Sequence, residues 1–344
     1  MSHETLRRSD RWRTRGFWLA VAGMLLAFSS VRAQTENCLS ATDMDAPMRS
    51  GLVSAAQKDF QLVTRGDSAT LRQSSIPSVA DNFDGIAASI KDNQSALAGA
   101  KAEMRPPFLL EAESTQVIPH AEFLCGVFGK NGQTAKSAVF YLDNLPPGKY
   151  GVVIFDAAAS SGARTVSLVL QQQNAEWKLA GFYVRPAESG GHDTAWYIDR
   201  AREFASKGQV HNAWLYYLEA RMLVSPLPFM STSVSDQLYD ESQKVLPADL
   251  PAEGKTTDLT VGGTSYKLTA IFPDAVGDNL DLVVKYEASD IANTNQTYQR
   301  NEAVMKALLA KYPELRDAFA AVVARAVDPS GHDYGTLLAM KDIK

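Results

Sequence analysis

The sequence predicts an α+β protein: helices plus an antiparallel curved sheet, then a helical hairpin module, then a C-terminal β-β-α-β-β unit. Two observations lead to this prediction. Hydrophobic residues recur at helical spacing in some segments of the 344-residue chain and form short β-branched and aromatic runs in others. In the first half, helical segments precede the strands instead of alternating with them, which favours an antiparallel sheet with segregated helices.

The first 33 residues have the layout of a secretory signal peptide. Arginines are concentrated in residues 7–15, an apolar run covers residues 17–28, and small residues lead up to Ala33. The apolar run is about a dozen residues long, whereas a membrane span needs roughly 20. The sequence therefore predicts export to the periplasm or beyond it, with cleavage after Ala33.

The charge of the predicted mature chain limits its partners. Removing residues 1–33 takes six arginines and two acids from the 34 basic and 39 acidic side chains, which leaves 28 and 37 and a net charge of −9. Nucleic acid and anionic lipid are poor partners for such a chain, because both bind through surplus lysine and arginine. No later apolar run is long enough for an integral membrane span. About 310 residues remain, which predicts two or three modules.

Cys38 and Cys125 are the two cysteines of the chain. In an oxidising compartment we expect them to form a disulfide that holds a short N-terminal segment against a strand. The alternative is two unrelated thiols, one near the terminus and one buried. Two cysteines alone make a poor metal site, because structural zinc takes four ligands.

The first predicted domain, residues 34–187, begins with helices. A first helix ends at Gly66, a short one lies near Leu71, and a third helical stretch covers residues 83–100. The apolar positions of the first helix recur at helical spacing and are Leu52, Val53, Ala56, Phe60 and Val63.

Strands follow these helices. Five β-branched and aromatic runs are separated by Gly, Pro, Asn and Ser turns. They are "AEFLCGVFG", "SAVFYLDNL", "KYGVVIFDA", "RTVSLVLQQQ" and "EWKLAGFYVR". The last two form a hairpin with a "QNAE" turn, in which Val166, Leu168 and Leu170 alternate on one face.

The order of helix, Gly-Asp, short helix and terminal hairpin resembles the nuclear-transport-factor-like and cystatin-like roll families. The matching residues are "LVTRGDSATL" at 62–71 and "NAEWKLAGFYV" at 174–184, within about half of the mature chain. The resemblance implies a sheet curved around a cavity. A β-sandwich is the rival arrangement, because "LPPGKYGVVIF" at 145–155 also resembles a strand start of immunoglobulin-like modules.

Residues 188–246 are predicted to form a helical module. The spacing of small and aromatic residues along its first two helices resembles that of a single tetratricopeptide repeat. Asp193 or Thr194 caps the first helix, Gly208 turns the chain, and Pro226 stops the second helix. A third helix at 233–246 can cover the hairpin. We found no second copy, and because an isolated repeat is poorly stable, the module is expected to pack against a neighbouring domain.

The module could act as a brace between two domains or as a partner-binding groove. A groove would use the outward stripe of the first helix, which includes Asp199 and Arg202. One acid and one base without an aromatic anchor form a weak recognition set, so the brace is the favoured interpretation. It requires Trp214 and Tyr217 to be buried.

Residues 247–258 are rich in proline, glycine and charge and predict a linker. Residues 259–344 then show a strand, strand, helix, strand, strand pattern, which forms the C-terminal α+β domain. The stretch at 319–327 is predicted as a strand, although its alanines would also allow the preceding helix to continue through Val323.

No motif in the chain specifies a catalytic chemistry. "GHD" occurs at 191–193 and 331–333, but glycine, histidine and aspartate are ordinary turn and cap residues, so neither a metal site nor a cofactor is predicted. If the roll were an enzyme, catalysis would depend on pocket residues that are scattered along the sequence. The eligible ones are Asp59, Asp67, Tyr150 and Tyr183.

The sequence thus favours an exported, non-catalytic binding or assembly protein of the bacterial cell envelope. Its partner would be another envelope protein or a small apolar ligand. The alternative is a small-molecule-binding or isomerase-like enzyme that uses the cavity of the roll. An open pocket inside the roll that places a desolvated acid beside a tyrosine would favour that alternative.

Overall fold

The structure, a computed structural model, describes residues 36–126, 132, 134, 136–158, 162–261 and 263–344. The predicted signal peptide, residues 1–33, lies outside the described residues. Helices and predominantly antiparallel sheets make up the described chain, which confirms the predicted α+β class.

The helices of the first half pack on one face of a large sheet. These helices are α1 (Ala46–Arg65), α2 (Ser68–Gln73), α3 (Pro77–Ala80), α4 (Asp84–Asp92) and α5 (Gln94–Leu97). The strands of this half are β1 (Glu36–Leu39), β2 (Lys101–Met104), β3 (Phe108–Ala112), β4 (Ile118–Cys125), β5 (Ala138–Leu145), β6 (Gly148–Ala158), β7 (Arg164–Gln173) and β8 (Glu176–Pro186).

Helix α1 begins and ends where its sequence supplies caps. The Asp45 carboxylate accepts a hydrogen bond from the Met48 amide at 2.7 Å. At the other end Gly66 has φ 72°, a left-handed conformation that glycine adopts without a steric penalty. The buried face of the helix carries Phe60, whose ring stacks on Phe155 of β6 at a centroid distance of 4.4 Å.

The large sheet has the strand order β1-β3-β6-β7-β8, and β2 also pairs with β6. All of these pairs are antiparallel. The β7–β8 hairpin turns at Asn174 and Ala175, as the sequence predicts. Leu168 and Leu170 pack against the helices, so Val169 and Gln171 lie on the opposite face, which we call the outer face.

A smaller sheet packs on part of this outer face. Its order is β11-β5-β4, in which β11 (Met230–Thr232) comes from a segment far along the chain. Phe123 and Phe140 of the small sheet share a buried cluster with Val152 and Ile154 of the large one. The first half therefore combines a helical layer with the sheet-on-sheet packing of the rival arrangement.

Cys38 of β1 and Cys125 of β4 form the predicted disulfide, with their Cα atoms 5.0 Å apart. Strand β1 belongs to the large sheet and β4 to the small one. The bond therefore joins the two sheets at one end of their interface, in addition to closing the N-terminal segment.

Short strands β9 (Glu188–Ser189) and β10 (His192–Asp193) lead into the helical module. Its helices are α6 (Thr194–Ser206), α7 (Val210–Val224) and α8 (Ser233–Gln243). Asp193 caps α6 by accepting a hydrogen bond from the Trp196 amide at 2.9 Å. Tyr217 is buried as expected, whereas Trp214 is only partly buried at the edge of the core.

The C-terminal half forms a five-stranded sheet in the order β12-β13-β14-β15-β16. Helix α9 connects β14 to β15, which run parallel, while the other pairs are antiparallel. The stretch after α9 is a strand, as predicted, and β12 begins at Thr257, inside the predicted linker. The elements are β12 (Thr257–Val261), β13 (Thr264–Val276), β14 (Asn279–Glu287), α9 (Thr294–Lys311), β15 (Ala321–Val327) and β16 (Asp333–Ala339).

The helical module shares one hydrophobic core with the C-terminal sheet. The Tyr216 hydroxyl of α7 donates to the backbone oxygen of Ala318 at 2.7 Å. His211 contacts the carboxylates of Glu314, at 2.6 Å, and Asp249, at 3.0 Å. These contacts attach α7 to the C-terminal half from its first turn onward.

The chain beyond α7 attaches to the first half. Ser167 of β7 donates to the backbone oxygen of Pro226 at 3.3 Å, and Tyr141 of β5 donates its amide to the backbone oxygen of Phe229 at 2.9 Å. The next residues form β11 in the small sheet. Residues 210–232 thus contact both halves, as the brace interpretation expects, although the partly buried Trp214 does not meet its other requirement. Among the described residues, no helix is long and apolar enough to cross a membrane.

Candidate functional site

A cleft of about 490 Å³ opens on the outer face of the large sheet, beside the area that the small sheet covers. Its floor is formed by β6, β7 and β8, and its rim by the end of β5 and by two loops. The lining is mainly carbon, with a few amide and hydroxyl groups. We call it the apolar cleft. Its volume lies in the range that small-molecule sites occupy, roughly 300 to 1,000 Å³.

An irregularity in β8 shapes the floor of the apolar cleft. The pairing of β7 with β8 shifts between Val169 and Leu170, so that Ala180 is an extra residue and forms a β-bulge. Next to it, a Cβ added to Gly181 would lie 3.2 Å from the Tyr183 ring and 3.4 Å from the Val169 Cβ. Because Gly181 has no side chain, no atoms rise from the backbone into the cleft at this position beside the bulge.

Aromatic and aliphatic side chains form the walls. Phe229, from the loop before β11, packs edge-on against Tyr183 of β8 with a centroid distance of 5.5 Å. On the other side, the segment before α3 adds to the edge of β8, where the Ile76 amide donates to the backbone oxygen of Leu179 at 2.9 Å. Ile76 and Pro77 then line the cleft. The walls thus come from two segments about 150 positions apart in sequence.

One end of the apolar cleft is polar. The Tyr150 hydroxyl donates to the backbone oxygen of Pro146 at 2.8 Å and accepts a hydrogen bond from Gln171 Nε2 at 3.0 Å. Gln173 Nε2 donates to Gln171 Oε1 at 3.3 Å, and both glutamines line the cleft. Burial raises the pKa of Tyr150, so the hydroxyl is neutral at ordinary pH. This end offers neutral hydrogen-bonding groups.

The residues considered eligible for catalysis are not brought together. Tyr150 and Tyr183 line the apolar cleft, but the single acid among its described lining residues is Asp143, which pairs with His120 at 2.7 Å on the surface. Asp59 lies on the helical side of the large sheet. Asp67 caps α2, and the hydrogen bond from the Thr70 amide lowers its pKa.

Asp59 is nevertheless an unusual carboxyl group. It is buried between α1 and α2, and burial raises its pKa to about 6, although the Ser74 hydroxyl donates to it at 3.2 Å. Asp59 and Trp177 are both among the residues that line a surface pocket. No tyrosine is among the described residues lining this pocket, so the acid–tyrosine pair that would favour an isomerase-like enzyme is not assembled there.

The proposed partner residues of the helical module have contacts within the chain. Arg202 forms a two-pronged ion pair with Glu241 of α8, at 3.0 and 2.8 Å, and its third nitrogen lies 3.7 Å from Asp199. The hydrogen bonds from Arg202 lower the pKa of Glu241. The outward stripe of α6 therefore fastens α8 to the hairpin.

Both "GHD" segments serve local structure. His192 stacks on Trp196 at a centroid distance of 3.6 Å, and Asp193 caps α6. In the second segment, His332 Nδ1 and the Ser330 hydroxyl share a hydrogen bond within the β15–β16 turn. Asp333 forms an ion pair with Arg325. Over the described residues, no group of three His, Cys, Asp or Glu side chains is placed to hold a metal ion.

Sequence reasoning singled out Tyr150 and Tyr183 but missed the other residues that shape the apolar cleft. Gln171 could have been identified as a residue of the outer face, because side chains alternate along β7 and its neighbour Leu170 lies on the buried face. A glycine inside a strand pattern, here Gly181, is also a recognised sign of a bulge. Phe229 carries no such sign, since only the folding of a distant loop brings it to Tyr183.

Comparison with known proteins adds no relative. No family model matches the chain, and neither a curated protein nor a solved structure matches it significantly. The inference of function therefore rests on the geometry of this chain alone.

Proposed function

We propose that this is an exported, non-catalytic binding protein of the bacterial cell envelope, which takes a small apolar ligand with a neutral polar end in the apolar cleft. The observation that supports this most is the bulge at Ala180 beside Gly181, which leaves a low carbon-lined floor between Phe229 and the β5 end. Bulges are common next to binding sites, where they redirect the strand.

The polar end defines the preferred ligand. Gln171, Gln173 and the Tyr150 hydroxyl can exchange hydrogen bonds with a hydroxyl or amide. The described lining includes no lysine or arginine, so the charge of a carboxylate would be buried there without an opposite charge. An alcohol should therefore bind better than the fatty acid of equal chain length.

Titration calorimetry of the purified mature protein with 1-octanol and with octanoate tests this proposal. We expect 1-octanol to bind at least tenfold more tightly than octanoate at pH 7.5. Ala180→Trp, which fills the floor, should weaken 1-octanol binding at least tenfold. Ala98→Trp, an equal change on an exposed loop, is the matched control and should leave binding unchanged.

Two results would overturn the ligand proposal. One is the absence of 1-octanol binding to the wild-type protein. The other is equal affinity of wild type and Ala180→Trp, provided that circular dichroism shows the variant to be folded.

Export is supported by the layout of residues 1–33 and by the Cys38–Cys125 bond, since disulfides persist in oxidising compartments. Expression of the full chain in a Gram-negative host, followed by intact-mass analysis of the periplasmic fraction, tests this part. The expected mass is that of a chain beginning at Gln34 with two hydrogens fewer than the reduced form. Full-length protein confined to the cytoplasm would contradict it.

A further inference from the structure

A second cleft, of about 870 Å³, lies between α7, the β9–β10 turn and the β13–β14 hairpin. We call it the acidic cleft. Four of its described lining residues are carboxylates, and one is a base, Arg164. The carboxylates come from three separate segments and are Glu188, Glu219, Asp274 and Asp278.

The one base is already engaged. Arg164 donates from Nε to Asn93 Oδ1 at 3.2 Å and from Nη1 to the backbone oxygen of Ala163 at 2.9 Å. No ion pair of the described chain joins it to a carboxylate of the acidic cleft. Arg164 keeps its positive charge, because both of these partners are neutral, but one positive charge cannot balance the four carboxylates when all are ionised.

Glu219 is the distinctive residue of the acidic cleft. It lies in the middle of α7, and only 2% of its surface is exposed. No group in the described chain forms a hydrogen bond with its Oε1 atom, although an interaction with Ser189 partly lowers the pKa of the carboxyl group. Buried polar atoms almost always have a partner, and an unmatched one costs about 1–3 kcal/mol.

The surroundings of Glu219 hold it in this position. The Tyr197 hydroxyl of α6 donates to the backbone oxygen of Ser189 at 2.8 Å, which fixes the β9 strand above α7. Gly190 has φ 54°, and a Cβ there would lie 3.4 Å from the backbone oxygen of Asn279. The turn thus lies directly against the β13–β14 hairpin, which closes one side of the cleft.

The Oε1 atom of Glu219 lacks a hydrogen-bond partner whether the carboxyl group is protonated or ionised. Burial first, and then the negative charge of Asp274, raise the pKa of Glu219. A proton on Oε1 would need an acceptor there, whereas in the ionised form, or with the proton on Oε2, Oε1 would need a donor. A bound cation with N–H groups would supply the donor and compensate the charges of both Glu219 and Asp274.

The geometry favours an organic cation over a metal ion. No three carboxylates of the described chain are close enough to coordinate one ion, so the acidic groups are spread along the walls. Phe272 and the partly exposed Met222 also line the cleft, and they offer apolar contacts for a carbon stem. An ammonium or guanidinium group on such a stem fits both features.

We propose that the acidic cleft binds an organic cation, in which a primary ammonium or guanidinium group donates hydrogen bonds to Glu219 and Asp274. The cation could be a free small molecule or an arginine side chain of a peptide, because both present the same group. This site is separate from the apolar cleft and does not depend on the function proposed for that cleft.

Binding should depend on pH in a defined direction. The cation favours the ionised form of Glu219, so binding should release a proton and strengthen as the pH rises. Glu219 interacts with Tyr197 from α6, Ser189 from β9 and Asp274 from β13, and the charged groups of Arg164, Glu188 and Asp278 line the same cleft. Tyr197 stays neutral over this range, since burial raises its pKa to about 12.

Calorimetric titration with agmatine and with the peptide Gly-Arg-Gly tests the proposal on the purified mature protein. We expect at least one of the two to bind with 1:1 stoichiometry at pH 8, and at least tenfold more weakly at pH 5. Buffers of different ionisation heat should show proton release. Binding of agmatine alone would assign the site to small molecules, and binding of the peptide alone would assign it to basic segments of proteins.

Three variants make the result decisive. Glu219→Gln keeps the shape of the side chain and should weaken binding at least tenfold, and Asp274→Asn at least threefold. Glu253→Gln removes an exposed acid elsewhere and should leave binding unchanged. Absence of binding by both ligands, or equal affinity in wild type and Glu219→Gln, would overturn the proposal.

Discussion

The core around α7 and the apolar cleft differ in what fills the space above a sheet. Around α7, the large side chains of Tyr197, Tyr216 and Tyr286 are buried, and each hydroxyl donates to a partner within the chain. Over the outer face of the large sheet, a bulge and Gly181 leave space that no side chain occupies. The comparison teaches that side chains of the chain itself fill the first region, whereas the second leaves open the space in which we propose that a ligand binds.

The largest expected effect is that of the disulfide between β1 and β4. Cys38 and Cys125 are 87 positions apart, and closing a loop of that length stabilises the folded state by about 4–5 kcal/mol in the loop-entropy model. We expect the double variant Cys38→Ser/Cys125→Ser to lose that amount in urea denaturation. A loss below about 1 kcal/mol would show that packing alone holds the two sheets together.

Truncation of Tyr216 tests the α7 side of the comparison. Tyr216→Ala should cost about 3–5 kcal/mol of unfolding free energy, because it leaves a cavity in the shared core. Tyr141→Ala is the matched control, since 54% of Tyr141 is exposed, and it should cost less than about 1 kcal/mol. Similar losses in the two variants would contradict the interpretation of α7 as a brace.

Asp59 makes the helical side of the large sheet sensitive to pH. Its pKa in the folded state is about 6 against an ordinary 3.8, so its ionisation destabilises the fold as the pH rises through this window. Asp59→Asn should therefore stabilise the protein by about 3 kcal/mol at pH 7.5 and have little effect at pH 3.5. A stabilisation that is independent of pH would exclude titration of Asp59 as its cause.

The smallest expected effect concerns the surface of the helical module. Arg202→Ala breaks the ion pair with Glu241, but 55% of the Arg202 side chain is exposed, so the loss should be at most about 1 kcal/mol. Asp199→Ala should change stability by less. If the double variant folds normally yet loses a specific partner in a pull-down from envelope extract, the outward stripe is a binding surface and the brace interpretation is incomplete.

Local patterns predicted much of this fold. Four correctly predicted features each depend on residues close in sequence. They are the apolar face of α1, the turn at Asn174, the helix cap at Asp193 and the β14–α9–β15 connection. The pairing of β1 with β3 and of β11 with β5 was not predictable, because it joins segments about 70 to 90 positions apart. Those two pairings complete the two sheets.

The candidate sites were less predictable than the fold. Tyr183 was eligible from sequence, but its contact with Phe229 depends on a loop that lies about 45 positions away. The sequence is misleading at Glu219, because a glutamate within a helix usually lies on the solvent-exposed face. Only the packing of the β9–β10 turn and β13 around α7 reveals that its carboxylate is buried.

Mapping 1-octanol onto the protein by backbone NMR tests the central claim most directly. Spectra of uniformly ¹⁵N-labelled mature protein would be recorded during the titration. The account predicts that the largest amide shifts fall on Ala180, Gly181 and Tyr183 of β8 and on Phe229, while amides of α7 stay unchanged. Shifts centred on α7 or scattered over the surface, with β8 unaffected, would contradict it.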